Sequence, residues 1–241
     1  MTAHLPASAV LPPIRGDRRL IVFDWDGTVI DSVFTIVRAL QQAAADLALP
    51  VPTDQQARFV IGLGLDEALS RVVPSLEPAR YPAYVDRYRL HFMARAAADV
   101  PFPGIPDLLA ELTRIGLRLA VATGKSRAGL DRALRDTGLG GLFAATRCAD
   151  EGRSKPHPWM LHSLSDALDI APDRMLMIGD TSHDIEMARA AGVASIGVAY
   201  GAHDPGAVAA AAPDAIATTV TELAQLLGVA PQWPPATGPV P

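Results

Sequence analysis

The chain has 241 residues, 49% of them apolar, with 21 Lys and Arg against 26 Asp and Glu and a net charge of −5. That length suits one large α/β domain or a core with an insert, and the apolar share is ample for a packed interior. No basic run is present and no stretch of 18 uncharged apolar residues occurs, so neither a nucleic-acid partner nor a membrane span is expected.

Residues 1–18 read as a flexible tail, since Pro6, Pro12 and Pro13 interrupt its apolar stretch and no Lys or Arg precedes it. Leu20–Asp24 is a buried strand. Ser32–Leu47 has helical spacing through Val33, Ile36, Val37 and Leu40. From there to Val100 the pattern is helical only, around Phe59–Val72 and Tyr81–Met93, with Pro74, Pro78 and Pro82 as punctuation. A βα rhythm then resumes. Helices are expected at Ile105–Ile115, Ser126–Asp136, Pro158–Leu168, Ser182–Ala191 and Thr219–Leu227, and strands at Leu117–Ala122, Phe143–Thr146, Met175–Ile178 and Val193–Val198. Residues 230–241 read as a second tail. This alternation implies an α/β fold with a doubly wound parallel sheet. The expected division is a core of residues 19–31 and 101–229 with a helical cap at 32–100. The single cysteine, Cys148, reads as a small buried hydrophobe in a chain suited to a reducing, cytoplasmic setting.

The sharpest feature is Asp24-Trp25-Asp26-Gly27-Thr28, two carboxylates two residues apart where the first strand ends. In open α/β sheets that edge is where ligands bind. Two full charges ~4 Å apart repel by roughly 4 kcal/mol at a protein-surface dielectric. A cation between them, or a proton on one, relieves this, and both remedies are catalytic chemistry. Three more polar clusters fall at strand ends or helix starts: Thr123-Gly124-Lys125-Ser126, Ser154-Lys155-Pro156-His157 and Gly179-Asp180-Thr181-Ser182-His183-Asp184. All should collect at one sheet edge. Thr181 and Ser182 also suit a helix N-cap, and Asp184 a first helical turn. His157 and His183 read as loop-shaping residues, and Trp25 as packing beside the site. The quartet 123–126 is not a P-loop, because Leu119 stands where a glycine is required; Gly62-Leu63-Gly64 follows no strand and is no dinucleotide site.

Asp24 and Asp26 with Gly27-Thr28, then Thr123, Lys155, and Gly179-Asp180 with Asp184, resemble in order the four signature motifs of the haloacid dehalogenase superfamily, over Arg19 to Leu227. The resemblance implies a Rossmann-like core with an inserted helical cap, and phosphoryl chemistry through an aspartyl phosphate. Asp24 would be the nucleophile and Asp26 the general acid and base. Thr123, the Gly124 backbone N–H and Lys155 would bind the phosphate, with Lys155 also offsetting the charge on Asp24. The metal would be Mg²⁺, held by Asp24, the Asp26 backbone carbonyl and Asp180, with Asp184 direct or through water.

An acid at position 26 fits oxygen leaving groups, so the resemblance is to phosphatases and phosphomutases; dehalogenases of this fold carry Tyr there and phosphonoacetaldehyde hydrolases Ala. The stretch Phe34–Val37 lacks the cap histidine of β-phosphoglucomutase-like enzymes, which favours a phosphatase. The helical insert, with Phe59–Leu65, resembles the phosphoglycolate-phosphatase branch and points to a small phosphorylated substrate. Phosphoglycolate is the first expectation; a sugar phosphate or a phosphorylated secondary-metabolite intermediate is the second. A phosphomutase, and a non-hydrolytic phosphoacceptor or interaction protein, stay open as alternatives, as do monomer and homodimer. Arg38, Arg58 and Arg71 are candidate substrate contacts, although solvated helix faces account for each more simply.

Overall fold

The computed structural model describes residues 18–96 and 100–230. The two expected tails fall outside it except for Arg18 and Ala230. Six strands form one parallel sheet: β1 (Leu20–Phe23), β2 (Arg118–Thr123), β3 (Ala145–Cys148), β4 (Met175–Gly179), β5 (Ala194–Val198) and β6 (Ala215–Ala217), in the order β3-β2-β1-β4-β5-β6. The central strand β1, Leu-Ile-Val-Phe, is buried on both faces, as an unbroken apolar run in a parallel sheet should be. Alternate residues serve opposite cores. Ile21 and Phe23 join Leu119, Val121, Leu176 and Ile178 on one face, and Leu20 and Val22 join Ala120, Ala122, Met175 and Met177 on the other.

The first face is covered by α5 (Ile105–Arg114), α6 (Arg127–Thr137) and α10 (Val220–Leu226), the second by α7 (Trp159–Leu168) and α8 (Ser182–Ala190). Sequence signals set several boundaries. Ser126 and Thr219 cap α6 and α10 by accepting from Gly129 and Glu222 N–H groups, and Gly138 closes α6 in the left-handed region at φ 70°.

Between β1 and α5 run α1 (Val33–Asp46), α2 (Asp54–Phe59), α3 (Leu65–Val72) and α4 (Tyr81–Met93). Their apolar faces form a third cluster around Leu40, Leu69 and Tyr84, whose hydroxyl donates to the Leu40 carbonyl at 2.6 Å. Among the described residues no helix is long and apolar enough to cross a membrane.

Two sequence expectations need correction, and two elements lie outside the expectations altogether. The helical reading of Phe59–Val72 is interrupted: α2 ends at Phe59 and α3 starts at Leu65, and Gly62, at φ 90°, breaks the chain between them. The strand expected at Phe143–Thr146 lies at Ala145–Cys148, because Gly140–Leu142 form a 3₁₀ turn and the Phe143 ring packs edge-on against Trp25, centroids 6.0 Å apart. The elements at Pro205–Ala210 (α9) and at β6 were not foreseen: they are short and alanine-rich, without the large apolar residues that reveal a period. The remaining strands and helices agree to within about two residues at each end.

Leu109 is wholly buried in the α5 face of the core. Replacing it with Ala should cost about 2–5 kcal/mol, read as a lower denaturant midpoint at an unchanged slope.

Candidate active site

The carboxyl ends of β1, β2 and β4 bring the polar clusters to one edge of the sheet. Asp24 follows β1 directly, and its N–H donates to the Ile178 carbonyl of β4 at 2.9 Å. The chain then turns tightly: Val29 and Ile30 N–H groups both return to the Trp25 carbonyl, at 2.9 and 3.0 Å. Gly27 allows the turn at φ 81°, and a side chain there would run into the Asp180 carboxylate. Trp25 is buried beside the site. Past the turn, Thr28 Oγ1 donates to Asp180 Oδ1 at 2.7 Å, and Ala202 N–H holds Asp180 Oδ2 at 2.6 Å.

Asp184 sits in the first turn of α8, where it completes a capping box with Thr181. Its Oδ2 accepts from the Thr181 N–H at 3.1 Å and from Oγ1 at 2.7 Å. Both oxygens are engaged, because Lys155 Nζ lies 2.7 Å from Oδ1. The same ammonium lies 2.7 Å from Asp24 Oδ1. Lys155 reaches in from the loop before α7 and is fully buried, as are Asp180 and Asp184, while Asp24 is 1% exposed.

One buried ammonium thus faces three buried carboxylates. Burial pushes Asp24 well above the usual carboxylate range, with Asp184 and Asp180 adding to the rise against the opposing pull of Lys155. Burial and then Asp184 push Asp180 up to about 7. Burial alone would lower Lys155, but Asp184 and Asp24 outweigh it and hold the ammonium above its ordinary value. Asp24 Oδ2 is buried with no hydrogen-bond or ion-pair partner. Oxygens of Asp24, Asp180 and Asp184 all lie within 4.8 Å of one another. An all-oxygen donor set with surplus negative charge and an unpartnered oxygen fits a hard divalent cation.

Asp26 is placed differently. Its Oδ1 accepts from Ser32 Oγ at 2.6 Å and lies 3.0 Å from Lys125 Nζ. Lys125 also sits over the Phe92 ring of α4, 4.8 Å from its centroid, and its N–H donates to Thr123 Oγ1 at 3.1 Å. Ser32 and Lys125 are contacts that the sequence reading missed. Lys125 lies in the quartet 123–126 at the end of β2, and that position is the sequence signal that points to it. Gly124 is required by close approach: a Cβ there would lie 2.7 Å from the carbonyl oxygens of Gly62 and Leu63. The turn between α2 and α3 therefore lies directly on the 123–126 loop.

Phe59 anchors that turn. Its carbonyl accepts from His183 Nε2 at 2.8 Å and His203 Nε2 at 3.0 Å, and its ring stacks on His203 with centroids 5.3 Å apart. His183 is thus a loop-shaping residue, and so is His157, whose Nδ1 accepts from the Trp159 N–H at 3.1 Å. Cys148 is buried and its thiol is pushed up to about 12 by burial.

Above Asp24, Asp26, Thr123 and Gly124 lies a cavity of about 570 Å³, walled by α1, the 60–65 turn, α4 and α6. Arg38, Arg58 and Arg71 do not line it. Arg38 donates to Gln41, Arg71 pairs with Glu67, and Arg58 reaches the Ala202 carbonyl at 3.5 Å. The lining arginines are Arg89 and Arg132.

Known proteins resemble this chain along most of its length. Residues 21–198 match the family described as haloacid dehalogenase-like hydrolase. The chain is 36% identical over 209 residues to the protein named Probable phosphatase IndB from Dickeya dadantii, covering 85% of this chain and 91% of that one. It is 33% identical over 221 residues to a phosphoglycolate phosphatase from Vibrio vulnificus, covering 88% and 95%. A hydrolase structure from Pseudomonas syringae superposes with a TM-score of 0.80 at 22% identity, covering 88% of this chain and all of that one, a likeness of fold. The chain belongs to the haloacid dehalogenase-like hydrolases. Within them it falls in the phosphoglycolate-phosphatase-like branch and is a phosphatase.

The raised Asp180 gives a signed pH prediction. A carboxyl at about 7 in the fold and 3.8 in the open chain binds more protons folded than unfolded across that window. Its contribution to stability is therefore present at low pH and lost as pH rises towards 7. In metal-free protein, the stability of wild type relative to Asp180→Asn should fall steadily from pH 4 to pH 7.5 in parallel urea titrations. A flat difference would show that Asp180 is already ionised.

Proposed function

We propose that this phosphatase hydrolyses a small-molecule phosphomonoester in a Mg²⁺-dependent reaction through a phosphorylated Asp24. The observation that carries the reading is the buried, unpartnered Asp24 Oδ2 beside the cavity, with Lys155 held against the other oxygen. A nucleophile must have a free lone pair and must be ionised. The first is met by Oδ2; for the second, the Lys155 ammonium pulls against burial and the neighbouring carboxylates, and a bound cation would complete the ionisation.

In the proposed first step Asp24 attacks phosphorus, the bond to the ester oxygen breaks, and Asp26 gives that oxygen a proton. In the second, Asp26 takes a proton from water as the water attacks the phosphoryl group, releasing phosphate and restoring Asp24. Ser32 and Lys125 fix the Asp26 carboxyl for both transfers. Thr123 Oγ1 and the Gly124 N–H would bind phosphoryl oxygens, and Lys155 would offset their charge. Asp24, Asp180 and the Asp26 backbone carbonyl would hold Mg²⁺, with Asp184, committed to Lys155 and the capping box, in support. Bound there, the ion neutralises negative charge gathering between Asp24 and the phosphoryl oxygens.

On this reading α1–α4 act as a cap over a core of residues 19–31 and 101–229, keeping water from the reacting atoms. The absence of histidine from α1 supports hydrolysis over phosphomutase chemistry. A small phosphorylated substrate, a cytoplasmic setting and a monomer or homodimer complete the proposal. Phosphoglycolate is the ester that the relatives offer first.

Phosphate release from a panel of phosphomonoesters should require added Mg²⁺ and stop with EDTA. Asp24→Asn should lose at least about 10³-fold in kcat, and Asp26→Asn about 10²–10⁴-fold. Equal release by Asp24→Asn and wild type would sink the covalent mechanism.

A further inference from the structure

The cavity is chemically divided. Its floor is polar, with Asp24, Asp26, Thr123 and Lys125, and its wall is apolar, with Ile36, Leu40, Val60, Leu63, Tyr88 and Phe92 among the lining side chains. We propose that the alcohol released by this enzyme carries a bulky apolar group of about ring size, in place of the short carboxylate arm of phosphoglycolate. This rests on the phosphatase reading above and deepens it by naming the substrate class.

Three observations favour an apolar group. The first is size. A cavity of about 570 Å³ is in the range for ligands of many heavy atoms, and a two-carbon acid would leave its apolar wall wet. An apolar group placed there displaces that water, which is favourable in proportion to the area covered. The second is the state of the cations a second carboxylate would need. Lys125 is held 3.0 Å from Asp26, and Arg132 pairs with Asp136 at 3.2 Å. Arg89 lies on an exposed stretch of α4, where solvent weakens its pull on a small anion. The third is the aromatic wall. The Tyr88 and Phe92 rings stack with centroids 5.8 Å apart and an interplanar angle of 29°, giving a surface that suits a flat or cyclic group.

The division also explains how one ester is oriented. The phosphoryl end is drawn to the Thr123 hydroxyl and the Gly124 N–H at the floor. The apolar end has nowhere on the floor to bind without stripping water from charged groups. Selectivity would then come from the wall, which belongs to α1, the 60–65 turn and α4, while the reacting groups stay the same.

The test compares esters with alkyl leaving groups, so that the chemical step is held nearly constant: ethyl, hexyl and 2-phenylethyl phosphate, with phosphoglycolate alongside. With Mg²⁺ present, kcat/KM for 2-phenylethyl phosphate should exceed that for ethyl phosphate and for phosphoglycolate by roughly tenfold or more. The ratio should shrink in Phe92→Ala, read within that one variant so that a loss of folded protein cancels. Equal or higher kcat/KM for phosphoglycolate would overturn the substrate class and leave the phosphatase intact. If no ester is hydrolysed, the hydrolytic reading fails instead. Calorimetric titration of the same esters into wild type then decides the cavity's preference: tighter 2-phenylethyl phosphate upholds it, and equal affinities overturn it.

Discussion

The structure depends on one ammonium. Lys155 is wholly buried with its Nζ 2.7 Å from both Asp24 and Asp184. A lone charge in that position would be prohibitive, and three unpaired carboxylates would be worse. Asp24 and Asp184 are tolerable because Lys155 lies against both, and Lys155 because they lie against it. This mutual dependence ties together segments far apart in the chain: the end of β1, the loop before α7 and the first turn of α8. Even so the charges do not cancel. Burial, with the surplus negative charge adding to it, raises Asp24 and Asp180, a state that a proton or a divalent cation relieves.

Around this centre, rigidity comes from backbone more than from side chains. Gly27 lets Asp180 lie against the turn after β1, and Gly124 lets the 60–64 turn rest on the 123–126 loop. Both are sites where a methyl group would force charged or backbone atoms apart. The candidate catalytic side chains therefore sit at strand ends and on turns whose backbone is clamped by hydrogen bonds.

The sheet was legible because β1, β2 and β4 are short apolar runs bounded by polar clusters, and a parallel sheet requires such runs. Asp24, Thr123, Lys155, Asp180 and Asp184 were legible because each lies at a strand end or helix start. Other features were hidden for physical reasons. The α2–α3 break falls among apolar residues whose spacing still mimics a helix, and only Gly62 and Gly64 betray it. Ser32 and Lys125 pair with Asp26 across the chain, which no local period records. The Ala-rich stretch holding α9 and β6 has too few large side chains to show a face, although Asp204-Pro205 does mark the helix start.

The Phe59 carbonyl carries a consequence for proton placement. His203 Nδ1 lies 3.1 Å from the Ser182 N–H and must accept from it, so that nitrogen bears no proton. The ring's hydrogen is thereby assigned to Nε2, where it meets the Phe59 carbonyl. Burial, which lowers His203 below its ordinary value, keeps the imidazole in this neutral tautomer. A single oriented ring thus joins the N-terminus of the helix bearing Asp184 to the last residue of α2. His183, itself in α8, meets the same carbonyl at 2.8 Å, so two imidazoles fasten the end of α2 to the helix beneath the carboxylates.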